Sequence, residues 1–382
     1  MRVTHAATYR KFTSSVNSVH SKLNKSMNKI SSGREYENAA ENPLAYYEGK
    51  KMDNQYQDIE TKLELISDVK NRLYQQEAGA TSIQNTLSAA RVKVEYIRNG
   101  TNNDTSQESA TLEIVKNDLI QKMQSMVNDL NAQYQDYFIY GGNDLSTSPF
   151  SLSGDGMTLT YNHTFPGDPK ATSISMTMDE NGTYSYVASG YRAETNQNVD
   201  PKELLQEAMC EQGRIDVGYG TIRNTETLLD TYTGGLNLLT GISSDEMNAA
   251  AATGTIPDIG KALTDSPLGI LGQTVRAIEK YQDDENLSKF TESMGTMMTK
   301  ITEAEQYVST VYSDLGNKYA LLESAETRLN ALSDGLEEQY SEKLGADPYE
   351  AITEMYSHRY SYQASLQLGS SLMRTSLFDF MS

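Results

Sequence analysis

Apolar residues toward the C-terminal end of the chain alternate steps of three and four without a slip from Leu287 to Leu336. Leu287, Phe290, Met294, Met297, Ile301, Ala304, Val308, Val311 and Leu315 keep the rhythm. After one polar position at Lys318 it resumes through Leu322, Ala325, Leu329, Leu332 and Leu336. That 3.5-residue period is a coiled-coil seam, and a helix this long must cover its stripe with a partner of similar length. Val69, Leu73, Ala80, Ile83, Leu87, Ala90, Val94 and Ile97 supply one, with Gln76 as the single polar miss. The pattern predicts a mainly α fold, an elongated antiparallel bundle of long helices built from both ends of the chain.

Shorter stripes fill in the rest. Phe12, Val16, Val19, Leu23, Met27 and Ile30 mark an amphipathic helix over 12–30 that Gly33 ends. A connector over 31–41 follows, and Asn42-Pro43 restarts a helix with Asn as cap and Pro in the first position. That helix runs to Asn99, roughly 85 Å at 1.5 Å per residue. The polar run Asn99–Asp104 turns the chain. A third helix carries Leu112, Val115, Leu119, Met123, Met126, Leu130, Tyr134 and Tyr137 and is expected to stop at Gly141-Gly142. The last long helix spans Leu287–Leu344, Gly345 and Pro348 close it, and a final helix covers Tyr349–Phe380.

Between the arms the period changes to two: Met157, Leu159, Tyr161, then Ile174, Met176, Met178, a turn at Asp179–Gly182, then Tyr184, Tyr186 and Ala188. Ile215, Val217 and Tyr219 predict one more strand, and short helices begin at Pro201 and Pro267. The middle is therefore a small α+β insert. The division is 1–42, an N-terminal terminal helix and connector; 43–142, the N-terminal half of the bundle; 143–284, the insert; 285–345, the C-terminal long helix; and 346–382, the C-terminal terminal helix.

Charge adds one asymmetry. The chain carries 32 basic and 52 acidic residues, a net charge of −20 over 382 residues, which disfavours nucleic acid as a partner. Residues 1–34 hold seven Lys or Arg and no acid. Transit peptides share that composition, but the apolar stripe running through it favours a structural arm that docks on acidic neighbours. Neither a secretory apolar core nor an 18-residue apolar span is visible, so membrane insertion is not expected. Cys210 is the only cysteine, which leaves no intrachain disulfide. Tryptophan is absent and tyrosine numbers 25, a choice that suits faces exposed in one state and packed in another.

Candidate chemistry is sparse. His5, His20, His163 and His358 stand apart without metal-ligand spacing and read as solvated polar residues. Asp283-Asp284-Glu285 reads as acids at a helix start. Gly154-Asp-Gly156 and Gly218-Tyr-Gly220 lack phosphate-loop context and read as turns. No catalytic, cofactor or metal site is expected, and the chain is not expected to be an enzyme.

The order of motifs carries a resemblance. Leu23-Asn-Lys-Ser-Met-Asn-Lys-Ile-Ser-Ser-Gly33, followed by Asn42-Pro43, resembles the N-terminal signature of the flagellin superfamily of bacterial flagellar axial proteins. Glu41 and Asn42 stand where that family usually has two aspartates. Tyr137-Phe-Ile-Tyr-Gly-Gly142 with Ser148-Pro-Phe150 is similar to the hook-associated protein 3 branch, the hook–filament junction, so Phe138, Tyr140, Gly141, Gly142, Pro149 and Phe150 join Gly33, Asn42 and Pro43 as motif residues. Asp347-Pro-Tyr-Glu-Ala-Ile352 and Ser376-Leu-Phe-Asp-Phe380 resemble the family's C-terminal signature.

The resemblance implies an extracellular flagellar subunit exported without a cleaved signal. It implies own copies in a helical ring, a hook-side junction protein, flagellin and a cytoplasmic export chaperone as partners. The terminal stripes over 1–32 and 349–382 have little to bury against in a monomer, so these helices are expected to fold on assembly, with Val19, Leu23, Met27, Ile30, Leu366, Leu372, Leu377, Phe378 and Phe380 covered by neighbouring subunits. The alternatives are flagellin itself and a non-flagellar coiled-coil scaffold or adhesin.

Overall fold

The structure is a computed structural model describing residues 2–36, 38–100, 105–186, 190–192, 197–217, 228–284 and 286–381. Within these, the side chains of 2–6, 100, 105–109, 190–198, 283–284 and 370–381 lie outside the described residues. The expected turns at Thr101–Asp104 and Gly218–Gly220, strand position Ala188 and Glu285 therefore lie outside it as well, whereas Asp283 and Asp284 are the last two residues of the helix Pro267–Asp284 and not acids at a helix start, because the helix begun at Pro267 continues through them. By internal contacts the chain divides into two compact units, Met1–Glu64 with Thr327–Ser382, and Leu65–Glu326.

The first unit holds α1 (Arg2–Ser32), the start of α2 (Pro43–Gly100), the end of α9 (Leu287–Leu344) and α10 (Pro348–Met381). Helix α1 ends where its glycine predicts: Gly33 has φ +67° and donates its N–H to Lys29 O at 2.9 Å. Two backbone bonds then tie the connectors together, Glu35 N to Leu344 O at 2.8 Å and Ala346 N to Gly33 O at 2.9 Å. Asn42 caps α2 by accepting from Ala45 N at 3.2 Å, and Asp347 caps α10 by accepting from Tyr349 N at 2.8 Å. Helices α2 and α9 run antiparallel here, with Glu48 3.0 Å from Lys343 and Met52, Ile59, Leu329 and Leu344 buried.

The second unit packs α2 beyond Leu65 against α9 up to Glu326, again antiparallel, as the pairs Lys70–Glu326 (2.6 Å) and Arg91–Glu305 (3.4 Å) require. Leu73, Ala80, Ile83, Leu87, Ala90, Val94 and Ile97 are buried, as are Phe290, Met294, Ile301, Ala304, Val308, Leu315, Leu322 and Ala325. Leu287 departs from the expected seam; it is the first residue of α9 and 37% exposed.

Helix α3 (Thr105–Leu130) buries the expected row from Leu112 to Leu130 but stops well short of Gly141-Gly142. Asn131 ends it, its amide bonding Phe150 O at 2.7 Å and Phe150 N at 2.9 Å as a strand neighbour would. The chain then makes a tight hairpin of β1 (Gln133–Tyr134) and β2 (Tyr137–Phe138), with Gln135 and Asp136 at φ +49° and +69°. Two left-handed central residues match the hand of a two-residue hairpin turn. The helical period at Tyr134 and Tyr137 was a coincidence of spacing.

The insert contains the predicted sheet, antiparallel in the order β3 (Phe150–Leu152), β4 (Thr158–His163), β5 (Thr172–Met178), β6 (Tyr184–Tyr186). Leu159, Tyr161, Ile174, Met176 and Met178 are buried, whereas Thr158 and Thr160 pair across the other face with Thr177 and Ser175. Two short ribbons follow: β7 (Gly190–Arg192) with β8 (Gln197–Val199), and β9 (Arg214–Asp216) with β10 (Leu228–Asp230). The predicted strand at Ile215 thus ends at Asp216; Tyr219 lies outside the described residues. Around the sheet are α4 (Pro201–Cys210), α5 (Gly235–Thr240), α6 (Ser244–Thr253), α7 (Ile259–Thr264) and α8 (Pro267–Asp284).

His163 is not the solvated residue its isolation in sequence suggested. It is 1% exposed, with Nε2 3.1 Å from Glu211 Oε1, Nδ1 3.2 Å from the Tyr161 hydroxyl, and Phe165 against its ring. Burial is tolerated because both ring nitrogens find partners.

The polar miss in the first seam has a structural cause. Gln76 is fully buried on α2 and donates Nε2 to Ile139 O (2.7 Å) and Thr233 O (2.8 Å) while its Oε1 accepts from Thr233 N (2.9 Å). Gln76→Leu would complete the apolar repeat yet remove the side-chain partner of the half-buried Thr233 N and O and leave Ile139 O only a 3.3 Å bond from Arg72. Leaving buried groups unpaired costs about 1–3 kcal/mol each. Urea denaturation of Gln76→Leu is expected to show a loss of about 2–4 kcal/mol, where coiled-coil periodicity alone predicts a gain.

Candidate assembly surface

Helices α1 and α10 form an antiparallel hairpin inside the first unit. His20 meets Tyr362 at 5.2 Å between ring centroids, and Lys29 lies 3.8 Å from Glu354. At the other end Phe12 occupies the notch left by Gly369, where a Cβ would sit 2.5 Å from the phenyl ring. Ser26, Ala351 and Gly369 are buried in this packing, small residues that let the helices approach closely. Lys29 bonds Glu35. Burial opposes its charge, but Glu35 with Glu354 and Glu350 outweighs that and raises its pKa. Two lysines near the end of the acid-free first helix find acids within the chain, Lys25 pairing with Glu41 and Lys29 with Glu35 and Glu354, and just past the helix end Arg34 pairs with Asp53.

Of the sequence-predicted interface residues, Val19 and Leu23 are half-buried on the Phe12–Ser26 side of α1, the helix that packs on α10. Met27 and Ile30 are exposed at 51% and 39%, and Leu366 on α10 is also exposed. Leu372, Leu377, Phe378 and Phe380 lie on the final turns of α10, where side chains are outside the described residues.

A second feature escaped the sequence reading. Tyr349, Ile352, Tyr356 and Tyr360 recur at steps of three, four and four on α10, and all four are exposed, Tyr349 and Tyr360 at 81% and 76%. At 100° per residue this stripe is centred about 140° around the helix from the face bearing Ala351, Tyr362 and Gly369. Arg359 leans over the Tyr356 ring at 4.7 Å. The 3.6-residue period was legible in the sequence. Which of the two faces the chain itself covers was not.

The motif around Gly141-Gly142 lies in the second unit and forms a latch. The Tyr140 ring is buried against Gly79 of α2, and its hydroxyl donates to Gln76 O at 2.5 Å. Arg72, one turn before Gln76, donates to Gly142 O at 3.0 Å and Ile139 O at 3.3 Å and stacks on Tyr232 at 4.3 Å. Burial lowers the Arg72 guanidinium to about 10, with Tyr232 opposing the shift. Gly141 has no room for a Cβ, which would lie 2.1 Å from Asp144 O, and Gly142 takes φ +71°. Phe138 ends β2; Pro149 is buried, and so is Phe150, whose backbone pairs with Asn131.

Asp144 closes the corner by accepting from Ser146 N and Oγ, Thr147 N and Thr164 N at 2.7–3.2 Å. Burial alone would raise its pKa, but the bonds from Thr147, Thr164 and Ser146 win and hold it at about 2.

Two family descriptions match this chain. The bacterial flagellin N-terminal helical region matches residues 3–139, and the bacterial flagellin C-terminal helical region matches residues 298–381. The chain belongs to the bacterial flagellin family. In this flagellin-family chain the two matches take in all of α1 except Arg2, the whole of α2, α3 and α10, and most of α9. No curated protein matches the sequence. A solved flagellar hook-associated protein from Vibrio parahaemolyticus shares the fold at 13% identity and TM-score 0.51, over 80% of this chain and 100% of that one. FlgL from Bacillus cereus is aligned at 13% identity over 78% of this chain and 100% of its own, with TM-score 0.39.

Two outcomes test these sites. In Gly369→Leu, overpacking against Phe12 costs about 1–3 kcal/mol, more than the helix propensity it gains. Trypsin is then expected to cleave at Lys22 and Lys25 several-fold faster. Asp144 has a folded pKa below its unfolded value of about 3.9, so its contribution is complete above that value and is lost as pH falls toward 2. Asp144→Asn is expected to be less stable than the wild type at pH 7. The difference in urea midpoint should shrink between about pH 4 and pH 2.

Proposed function

We propose that this flagellin-family chain is a structural, non-catalytic subunit of the bacterial flagellum that joins the hook to the flagellin filament. The observation that carries the reading is the terminal hairpin of α1 and α10. It lies within the two family-matched regions, yet one face of α10, the tyrosine stripe, and the Met27–Ile30 edge of α1 remain uncovered by the chain itself. Burying such side chains is worth roughly 1.5–3 kcal/mol each, less the ordering cost, so copies meeting through them gain enough to hold a ring. The likeness of fold to a hook-associated protein supports the junction over the filament. The hook-side junction protein, flagellin and a cytoplasmic export chaperone are the proposed partners. Export through the flagellar secretion channel is the proposed route. Among the described residues no helix is long and apolar enough to cross a membrane.

Purified protein added to isolated hooks is expected to cap their distal ends in electron micrographs, and to form no free filament in buffer alone. Long filaments in buffer would assign it to the filament instead. Deleting residues 368–382 is expected to abolish capping while leaving the urea transition of the second unit in place. Capping by that truncated chain would refute the role given to the terminal hairpin.

A further inference from the structure

Lys11, Lys22, Lys25 and Lys29 share one line of α1, and the chain neutralises only part of it. At 100° per residue they fall within about 60° of one another. Lys25 meets Glu41, and Lys29 meets Glu35 and Glu354. Lys11 and Lys22 are exposed, and among the described residues neither forms an ion pair. They stand about 17 Å apart along the helix, with the short, exposed Ser15 and Ser18 between them on the same line.

Acids of matching layout stand on α9. Asp334, Glu338 and Glu342 recur at steps of four, all exposed, on the face opposite Leu329, Leu336 and Leu344. They form a row about 12 Å long, and among the described residues none of them is paired either. Like charges four residues apart destabilise a helix until opposite charges cover them.

Both rows belong to the first unit, yet among the described residues no ion pair joins them. Complementary patches at different places on one molecule can pair only between copies, and such a heterologous contact repeats head to tail into a ring or helix. We infer that the outer lysine row of α1 docks on the Asp334–Glu342 row of a second copy of this chain. A net charge of −20 pushes copies apart, whereas this local complementarity fixes which faces meet. The inference rests on the reading of the chain as a self-assembling subunit, and adds the contact that gives its assembly a direction.

Zero-length carbodiimide cross-linking of the full chain, isotopically labelled and unlabelled copies mixed, tests it on hooks and in concentrated solution. Cross-links carrying both labels are expected from Lys11 or Lys22 to Asp334, Glu338 or Glu342, with Lys29–Glu354 within one copy as the positive control. Lys11→Glu/Lys22→Glu and Asp334→Lys/Glu338→Lys should each raise the concentration needed to cap hooks at least tenfold. Their urea midpoints should stay unchanged, because all four side chains are exposed. A one-to-one mixture of the two variants should cap as the wild type does, since each supplies the charge the other lacks. Net charge alone predicts the reverse for the second variant, which reduces repulsion between copies. Capping by either variant alone at the wild-type concentration, or no mixed-label cross-link between the rows, would overturn this inference and leave the junction role standing. Failure of the wild type to cap would instead overturn the junction role, and the cross-links in solution then decide this contact.

Discussion

Everything in this molecule depends on two apolar stripes from opposite ends of the sequence covering each other along antiparallel helices. A 3.5-residue stripe on one helix is unstable in water until a second of matching period lies on it. Helices α2 and α9 meet this requirement in each compact unit, and the ion pairs Glu48–Lys343, Lys70–Glu326 and Arg91–Glu305 record the same opposed direction. Surface pairs of this kind contribute little energy; the buried leucines and isoleucines between them supply the stabilisation.

Once α2 and α9 are opposed, the segments beyond them are also brought together. The backbone link between Glu35 and Leu344, and between Gly33 and Ala346, joins the two connectors directly. Helices α1 and α10 then meet as a hairpin packed through small residues and one phenylalanine. This arrangement divides the terminal apolar residues into two sets. Phe12, Val19 and Leu23 lie on the side that serves the chain itself. Met27, Ile30 and the Tyr349–Tyr360 stripe remain outward, and tyrosine suits a surface that is wet before assembly and buried after it.

The latch at Tyr140-Gly141-Gly142 shows a different economy. Arg72 and Gln76, one helical turn apart, hold the carbonyls of Ile139 and Gly142, and Gln76 reaches Thr233 as well. A polar residue placed in a seam gives up apolar burial. In return it specifies where one irregular segment must sit, since only one register satisfies all of its hydrogen bonds. The buried His163–Glu211 pair does the same for the end of β4, where Glu211 also accepts from Asn143 N at 3.0 Å.

The sequence by itself determined the long helices, the cap at Asn42, the glycine stop at 33 and the period-two strands of the insert. Those features follow from local periodicity and from the backbone preferences of single residues. Where short-range pattern misled, a distant partner was responsible. Asn131 leaves the helix to pair with Phe150, and His163 is buried because Glu211 comes to meet it. The same limit applies to the surface: two faces of α10 are apolar enough to pack, and nothing local says which one α1 will cover. Only the tertiary structure decided that, because exposure is a property of what lies opposite a side chain and not of the side chain's own period.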